Sequence, residues 1–439
     1  MKKLLLWMVF AFIPLAAFAQ EETLTVDQCV NIALKRNNDI VQSRLQLKMI
    51  ARDEVSAFSR FLPSVDAGLG YNHSVNGPSS EFRIDRTTGI PVPIQEMKRV
   101  AWSSYTRFSV QQMLFDGGSI FNFVRAKYTK DGAASTYDYT LQNTIYKVKS
   151  AYFDLLKKEK LLQAQEETLK QWEESYKRYD MMYEVGKVAK SDVLKAKVQL
   201  ENARLALLQS QNDLSIANAQ LNWELGFSVD RKVNAVDLQV SPSVDIPYET
   251  ALEKATANNP QLKKSQADVS ASKAGVASSS SSFLPSVFAS GSYSWSNRKL
   301  NQIKNMFDTD YGWSMGVSLS IPIFQGFSRV ADVSKAQLSL KSSRETLEQA
   351  KRDVALTVKQ AYNAVQVVKQ QITVTQDAEA AAEEDLRLNR EKYDLGSGTM
   401  LELITSQAAY TTAKNNRIQA VYDYQTVFAR LEMAMGVLK

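Results

Sequence analysis

Trp313-Ser314-Met315-Gly316-Val317-Ser318-Leu319-Ser320-Ile321-Pro322-Ile323 alternates large apolar residues with small or polar ones. Successive side chains of a β-strand point to opposite faces, so this stretch presents one apolar face and one small, polar face. The same alternation runs through Val287, Ala289, Gly291, Tyr293 and Trp295, set against Ser290, Ser292, Ser294 and Ser296. Earlier in the chain Val65, Ala67, Leu69 and Tyr71 face one way, and Phe108, Val110, Gln112 and Leu114 follow more loosely. Strands are therefore expected at about 61–73, 104–116, 283–296 and 311–324. Segments of this length, with aromatics near their ends, suit a transmembrane barrel. A half-buried sheet in water shows the same alternation. Four strands cannot close a barrel, and an open edge in lipid leaves costly unpaired backbone groups. If the strands lie in a membrane, several chains share one barrel; three chains supply twelve strands, enough to leave a lumen.

Outward from the strands, the chain repeats itself. Phe61-Leu62-Pro63-Ser64-Val65 recurs as Phe283-Leu284-Pro285-Ser286-Val287, and Tyr183-Glu184-Val185-Gly186 recurs as Tyr393-Asp394-Leu395-Gly396. Gly226 and Gly436 share the spacing of Gly186 and Gly396. An internal two-fold repeat is expected, with halves at 20–227 and 247–439. Each half reads as short helix, strand, strand, very long helix, glycine turn, long helix. The short helices are Val26 to Lys35 and Pro247 to Ala257. Pro63 and Pro285 stop the preceding helices as the strands begin. Gly117 and Gly118 follow Asp116, and Gly326 lies between Gln325 and Phe327, where strand gives way to long helix. Glycine permits the awkward dihedrals of that switch. The polar segments 74–104, with Pro78, Pro91 and Pro93, and 297–311 are expected as loops, with His73 incidental at the entrance of the first. The connector 228–246, with Val240 and Pro242, is expected to be irregular with one short strand.

The helices carry heptads. Leu141, Val148, Leu155, Leu162, Leu169 and Tyr176 recur every seven residues, with Ile145 and Tyr152 between them. Leu200, Leu207, Leu214 and Leu221 form a row beside Ala196, Ala203, Ser210 and Ala217. Val354, Val358, Ala361, Val365, Val368 and Ile372 form the seam of the second half, answered by Val421, Tyr424, Phe428, Leu431 and Met435. These are coiled-coil patterns. The helix from about 118 to 185 would be about 100 Å long at about 1.5 Å per residue, too long for the interior of a globular domain. A solvated coiled-coil stalk fits the heptads alone; the alternating strands argue for the membrane.

The first residues read as a signal peptide, 1–19. Lys2 and Lys3 precede the apolar run Leu4 to Ala16, and Ala17-Phe18-Ala19 is a cleavage signal before Gln20. Gln20 is not a cysteine, so no lipid attachment is expected at the new terminus. No later stretch is long and apolar enough for a spanning helix. Cys29 and His73 are single, so no intrachain disulfide forms and no His- or Cys-ligated metal site is expected. The net charge of +6 is spread among acidic residues without a dense basic patch, which argues against nucleic acid. No catalytic set, phosphate loop or cofactor motif stands out, and an enzyme is the weakest reading.

The helical turns fall at Gly186 and Gly396, where glycine supplies a left-handed cap. Ser191 and Thr399 are expected N-caps of the returning helices. Asp192 and Glu402 each stand six residues beyond their glycine. Each reads either as a first-turn acid complementing the helix dipole or as one member of a carboxylate ring at the narrow end of a tube.

These features together resemble the TolC family of outer-membrane efflux and secretion channels. The carriers are the duplicated halves, Phe-Leu-Pro-Ser at strand entry, Leu114-Phe115-Asp116-Gly117-Gly118, and the two tips. The tips run from Arg178-Tyr179 through Val185-Gly186 to Ser191-Asp192-Val193-Leu194, and from Arg390 through Tyr393-Asp394-Leu395-Gly396 to Leu401-Glu402-Leu403. The resemblance covers essentially the whole mature chain. It implies a mixed α+β membrane protein. Its fold would be a homotrimer with a shared twelve-stranded transmembrane β-barrel, continued by coiled coils as an α-barrel tunnel. The location implied is the outer membrane of a Gram-negative-type cell, in contact with its lipid and reaching into the periplasm. The partners implied are a periplasmic adaptor, docking at Val185, Gly186, Leu395 and Gly396, and an inner-membrane pump of RND, MFS or ABC type. Glu402, Tyr393 and Asp192 would form a periplasmic pore constriction. Gly398 stands where relatives can carry an arginine, and Thr405 where they can carry a second acid.

The implied activity is passive conduction of small molecules such as drugs, with no cofactor and no catalytic residue. The alternative within transport is the outer-membrane duct of a type I protein secretion system. The alternative of another class is a structural coiled-coil spacer in the periplasm.

Overall fold

The computed structural model describes residues 22–77, 79–96, 99–237, 246–297 and 300–438. The expected signal segment, together with Pro78, Val240 and Pro242, lies outside them. Along the chain, β1 (Glu22–Leu24), α1 (Val26–Arg36) and α2 (Asn38–Ser59) lead to β2 (Ser64–Asn76). Next come β3 (Ser79–Ile84), β4 (Pro91–Glu96) and β5 (Arg99–Phe115), then α3 (Gly117–Glu184) and α4 (Lys190–Leu225). The connector holds β6 (Val233–Ala235), and the second half opens with α5 (Tyr248–Asn258), α6 (Pro260–Ser281) and β7 (Ser286–Asn297). A 3-10 turn at Leu300–Asn305 precedes β8 (Tyr311–Ser320), α7 (Ser328–Asp394) and α8 (Met400–Ala434). Two compact units are built from these: Leu47–Ala134 with Lys264–Glu348, and the remainder, Met1–Gln46, Ser135–Lys263 and Gln349–Lys439.

The larger unit is helical, and its core forms three clusters. Tyr152, Val148, Leu155 and Ile145 of α3 pack with Cys29 and Ala33 of α1 and with Leu221 and Leu225 of α4. Val354, Val358, Ala361 and Val365 of α7 pack with Ala251 of α5 and with Tyr424 and Leu431 of α8. The third cluster lies at the helical turns. Most heptad positions are buried or half-buried. Val421 is not: it is 37 % exposed, and Ala420 is buried beside it. The three–four alternation of Tyr424, Phe428, Leu431 and Met435 therefore does not extend back to Val421, and the small residue one position earlier is buried instead.

Each half has two helices before its first strand of the four-stranded sheet, where the sequence suggests one. Both breaks fall at an asparagine. Asn37 Oδ1 accepts from Asp39 N–H at 2.9 Å while Nδ2 donates to the Glu224 carbonyl at 2.9 Å. Asn259 Oδ1 accepts from Gln261 N–H at 3.0 Å while Nδ2 donates to the Ala434 carbonyl at 3.2 Å. Each asparagine thus starts one helix and holds the end of another. Gly226 and Gly436 sit at those ends with φ of 71°, and a Cβ on Gly436 would lie 2.7 Å from Asn258 backbone. Tyr152 adds a third tie: its hydroxyl donates to the carbonyls of Leu24 and Val236 and accepts from Val236 N–H at 2.9 Å. It thereby fixes the parallel pair β1–β6, of which the sequence suggests only β6.

The smaller unit contains a four-stranded antiparallel sheet in the order β2-β5-β7-β8. Its register aligns Val65 with Val110, Phe108 with Tyr293, and Tyr293 with Trp313. Residues opposite one another share a face, so Val65, Leu69, Phe108, Val110, Trp313, Met315 and Val317 form one apolar surface. Asp66, Ser109, Ser290, Ser292, Ser314 and Ser318 share the other. The apolar side is open: Met315 is 80 % exposed and Leu69 72 %.

Strand limits differ from the sequence expectation for identifiable reasons. Phe61 and Leu62 donate into the turn that ends α2, as Phe283 and Leu284 do after α6, so the ladders begin after the prolines. β8 ends at Ser320, short of Pro322, which has no N–H to pair. The segment 74–104 is not a plain loop. β2 and β5 stay paired out to Asn76 and Arg99, and β3 and β4 form a hairpin with Phe82 opposite Pro93. Two prolines in β4 hide its alternation. Among the described residues, no helix is long and apolar enough to cross a membrane.

Candidate functional site

Both helical turns close by the same backbone pattern. Gly186 has φ of 74° and Gly396 of 76°. Lys187 N–H donates to Met182 O at 2.8 Å and Gly186 N–H to Tyr183 O at 2.9 Å. Ser397 N–H donates to Lys392 O at 2.9 Å and Gly396 N–H to Tyr393 O at 3.0 Å. These paired bonds satisfy the last carbonyls of α3 and α7 and require a left-handed residue. The side chains just before the glycines point to solvent, Val185 at 68 % and Leu395 at 84 % exposure.

The returning helices start differently. α8 begins with a reciprocal cap: Thr399 Oγ1 accepts from Glu402 N–H at 3.2 Å, and Glu402 Oε2 accepts from Thr399 N–H at 2.7 Å and from Thr399 Oγ1 at 2.9 Å. These bonds from Thr399 hold the Glu402 carboxyl below its ordinary pKa. Ser191 is not the matching cap. α4 starts at Lys190 after Ala189, which has no side-chain acceptor. Asp192, in the first turn, pairs with Lys195 at 3.2 Å. Gly398 N–H donates to Lys392 O at 3.0 Å, and a Cβ there would stand 3.1 Å from Lys392 Cβ. The arginine that relatives can carry would require this turn to give.

One core joins the tips. Trp172, Tyr179, Val193, Ala196, Leu386, Met400 and Leu403 are its buried members. Tyr179 meets Tyr393 edge-on with ring centroids 5.4 Å apart, and Arg178 pairs with Asp394 at 3.5 Å. Burial pushes the Tyr179 hydroxyl up to about 12. Burial also raises Tyr393, and the negative charges of Asp192 and Asp394 add to the shift. Tyr393 Oη is buried without a hydrogen-bond partner among the described residues. Glu402 instead finds its partners in Thr399, with Lys392 as a nearby charge. A polar cleft lined by Gln171, Glu174, Arg178, Arg390 and Gln407 lies beside the tyrosines. Its two glutamines are bonded to each other at 3.0 Å, a contact no sequence motif announces.

The strand–helix corners pair less closely than their sequences. Pro63 and Pro285 each follow the two-bond turn that ends α2 and α6. Gly326 has φ of 58°, as a backbone reversal requires, and Phe327 follows at 64°. Gly117 does not share that conformation. It is needed for close approach, since a Cβ there would lie 2.7 Å from Ser281 Cβ. Asp116 does the capping at that corner, with Oδ2 accepting from Ser119 N–H at 3.0 Å and Ser119 Oγ at 2.6 Å.

The family model described as outer membrane efflux protein matches residues 29–226 and 251–437. The chain belongs to this family. Among relatives of this outer membrane efflux protein, the outer membrane protein TolC of Vibrio cholerae is 24 % identical over 415 residues, covering 91 % of this chain and 90 % of that protein. The alkaline protease secretion protein AprF of Pseudomonas aeruginosa is 23 % identical over 343 residues, covering 77 % and 70 %. The fold is that of the Campylobacter jejuni CmeC outer membrane channel, with a TM-score of 0.81 at 17 % identity over 94 % of this chain and 85 % of that one. The chain is therefore an outer-membrane protein of a channel family whose members reach into the periplasm. Its family is one of ducts, and the two tips are its candidate working parts.

Proposed function

We propose that three copies of the chain close one exit duct. The observation that carries this reading is the sheet of the smaller unit: two outer strands, β2 and β8, whose free edges have no partner strand among the described residues, and one exposed apolar face. An unpaired edge is not tolerated in lipid, so the sheet must be continued by further strands. Three copies give twelve, with the apolar face toward lipid and the serine face toward the lumen. The helices continue the barrel as a tunnel across the periplasm. The halves 20–227 and 247–439 act as structural repeats joined by 228–246, a reading supported by their parallel element order and by the two matched segments.

In this duct the tips meet the partners. The exposed Val185 and Leu395, beside the open backbone of Gly186 and Gly396, form a contact surface for a periplasmic adaptor protein. The adaptor is joined in turn to an inner-membrane pump of RND, MFS or ABC type that supplies the energy. Asp192, Tyr393 and Glu402 form the constriction of the periplasmic end. The chain itself conducts passively, and carboxylates repeated around the axis favour cations.

The test is conductance of the purified protein in a planar bilayer, together with its mass in detergent. Discrete cation-selective steps from a particle of three chains are expected. A single chain, or a protein that stays in water without detergent, overturns the reading in favour of a periplasmic spacer. The likeness to AprF supports a second reading, the duct of a protein secretion system. Deletion of the gene distinguishes them: retained drugs point to efflux, and a retained exported protein points to secretion.

A further inference from the structure

Among the described non-glycine residues, Asp310 and Phe327 have positive φ, at 59° and 64°. Aspartate enters this region readily; for a bulky residue it is an outlier. Such strain persists where the surroundings over-determine it. The surroundings Phe327 has in its own chain are thin. It is 74 % exposed, and its ring meets that of Phe324 edge-on at 5.6 Å. Phe324 and Ile323 are themselves exposed, Ile323 at 95 %. Together they rim an apolar hollow after β8. Arg329 holds its shape, donating to the Ser282 carbonyl and, at 3.0 Å, to Gln325 Oε1. The hollow is therefore largely apolar and, within one protomer, open to a partner.

The other outer strand begins at a corner of the same kind. Phe58, Phe61 and Phe123 cluster with ring centroids 5.8 to 6.2 Å apart, and Phe58 and Leu62 remain exposed on that cluster. Every neighbouring pair in β2-β5-β7-β8 is antiparallel, so β8 runs opposite to β2. If β8 of one copy pairs with β2 of the next in the same alternation, the end of β8 falls beside the start of β2. That pairing brings the two apolar corners to one place.

We propose that the Phe324–Phe327 corner of one protomer packs against the Phe58–Leu62 corner of a second copy of this chain, forming an aromatic lock at each seam where strand becomes helix. The left-handed Gly326-Phe327 turn presents the ring across the seam. This inference rests on the closed-ring reading above and adds to it a specific contact that each protomer lacks alone.

The experiment is disulfide trapping with Leu62→Cys and Phe327→Cys in one chain. The native Cys29 is fully buried and its thiol is pushed up to about 12, so it stays out of the reaction. Oxidation of assembled protein in membranes is expected to yield covalent dimers and closed trimers, while each single cysteine gives monomer on a denaturing gel. Trimers by mass that do not cross-link overturn the lock and leave the ring intact. Labelling of Phe327→Cys by a membrane-soluble thiol reagent in such trimers assigns the ring to lipid instead. Absence of any trimer refutes the ring reading and the lock with it. Phe327→Gly gives an independent check. Glycine takes this φ without strain, so a ring that only strained its own chain would be replaced with a gain in heat resistance. The lock predicts the reverse, a trimer that dissociates at lower temperature.

Discussion

The two helical tips share a turn and part company three residues later. In both, a glycine with φ above 70° and the residue after it donate the Schellman-type bonds that end the outgoing helix. The second tip then starts its returning helix with Thr399 and Glu402 bonded to each other, while the first starts at Ala189 with nothing from a side chain. The acids at matching positions are consequently bonded differently. Glu402 is committed to the helix start, and Asp192 pairs with Lys195 beside the half-buried Tyr393. Repetition preserves the backbone reversal, which only glycine provides cheaply, and lets the surrounding side chains diverge. The capping box is expected to make the second tip the stiffer start, while the first carries its acid in an ion pair with Lys195.

The sharpest way to test the shared part is to remove it from one tip at a time. Valine at φ of 74° or 76° meets the Cβ clash of the left-handed region, at roughly 1–2 kcal/mol or more for a branched residue. Gly186→Val and Gly396→Val are each expected to open the turn, seen as new protease cleavage at the tip. Each is also expected to reduce drug export in cells carrying the native partners, while trimers persist on gels. Full export by both variants would remove the tips from adaptor docking. A loss with only one would show that the partner reads the tips unequally.

The unshared part is tested by exchange. Thr399→Ala deletes the cap and is expected to cost about 1 kcal/mol, read as faster hydrogen exchange of the first amides of α8. Ala189→Ser supplies the missing acceptor to α4 and is expected to slow exchange there, a gain of about 0.5–1 kcal/mol. Equal protection of both helix starts in the native protein would contradict the difference in stiffness.

How far the sequence discloses these features depends on what enforces them. The strands are legible because an apolar face must repeat every second residue, as Trp313, Met315, Val317 and Leu319 do. The ends of the strands are less so, since turn bonds at Phe61 and Phe283 use donors that the pattern assigns to the ladder. The hairpin β3–β4 is masked by Pro91 and Pro93. Asn37 and Asn259 carry no periodic signal, yet each divides one helix into two by bonding across to a distant carbonyl. Gly117 and Gly326 look alike in sequence and serve different needs, one for contact and one for a dihedral. At the tips Thr399-Met400-Leu401-Glu402 carries the capping-box spacing, so the partner of Glu402 is readable from four residues. The meeting of Tyr393 with Tyr179 joins two hairpins, and only the resemblance to a family of channels points toward it.

The smallest change in the fold is expected to be the most informative about conduction. Glu402→Gln keeps an acceptor for Thr399 N–H and removes the charge, so it separates the cap from the field at the tip. In the native chain the bonds from Thr399 lower the folded pKa of Glu402, so its stabilising effect is complete above the ordinary glutamate value of about 4.3 and fades as pH falls through the lower folded value. The charge therefore survives into mild acid, and a cation preference that depends on it should hold there too. Measured in bilayers at neutral pH, Glu402→Gln is expected to lower cation selectivity with little change in helix protection. Asp192→Asn is expected to do the same from the other tip, with an added shift in the environment of Tyr393. If Glu402→Gln conducts with native selectivity while Asp192→Asn does not, the field belongs to the first tip alone, and the carboxylate of the second is a structural cap.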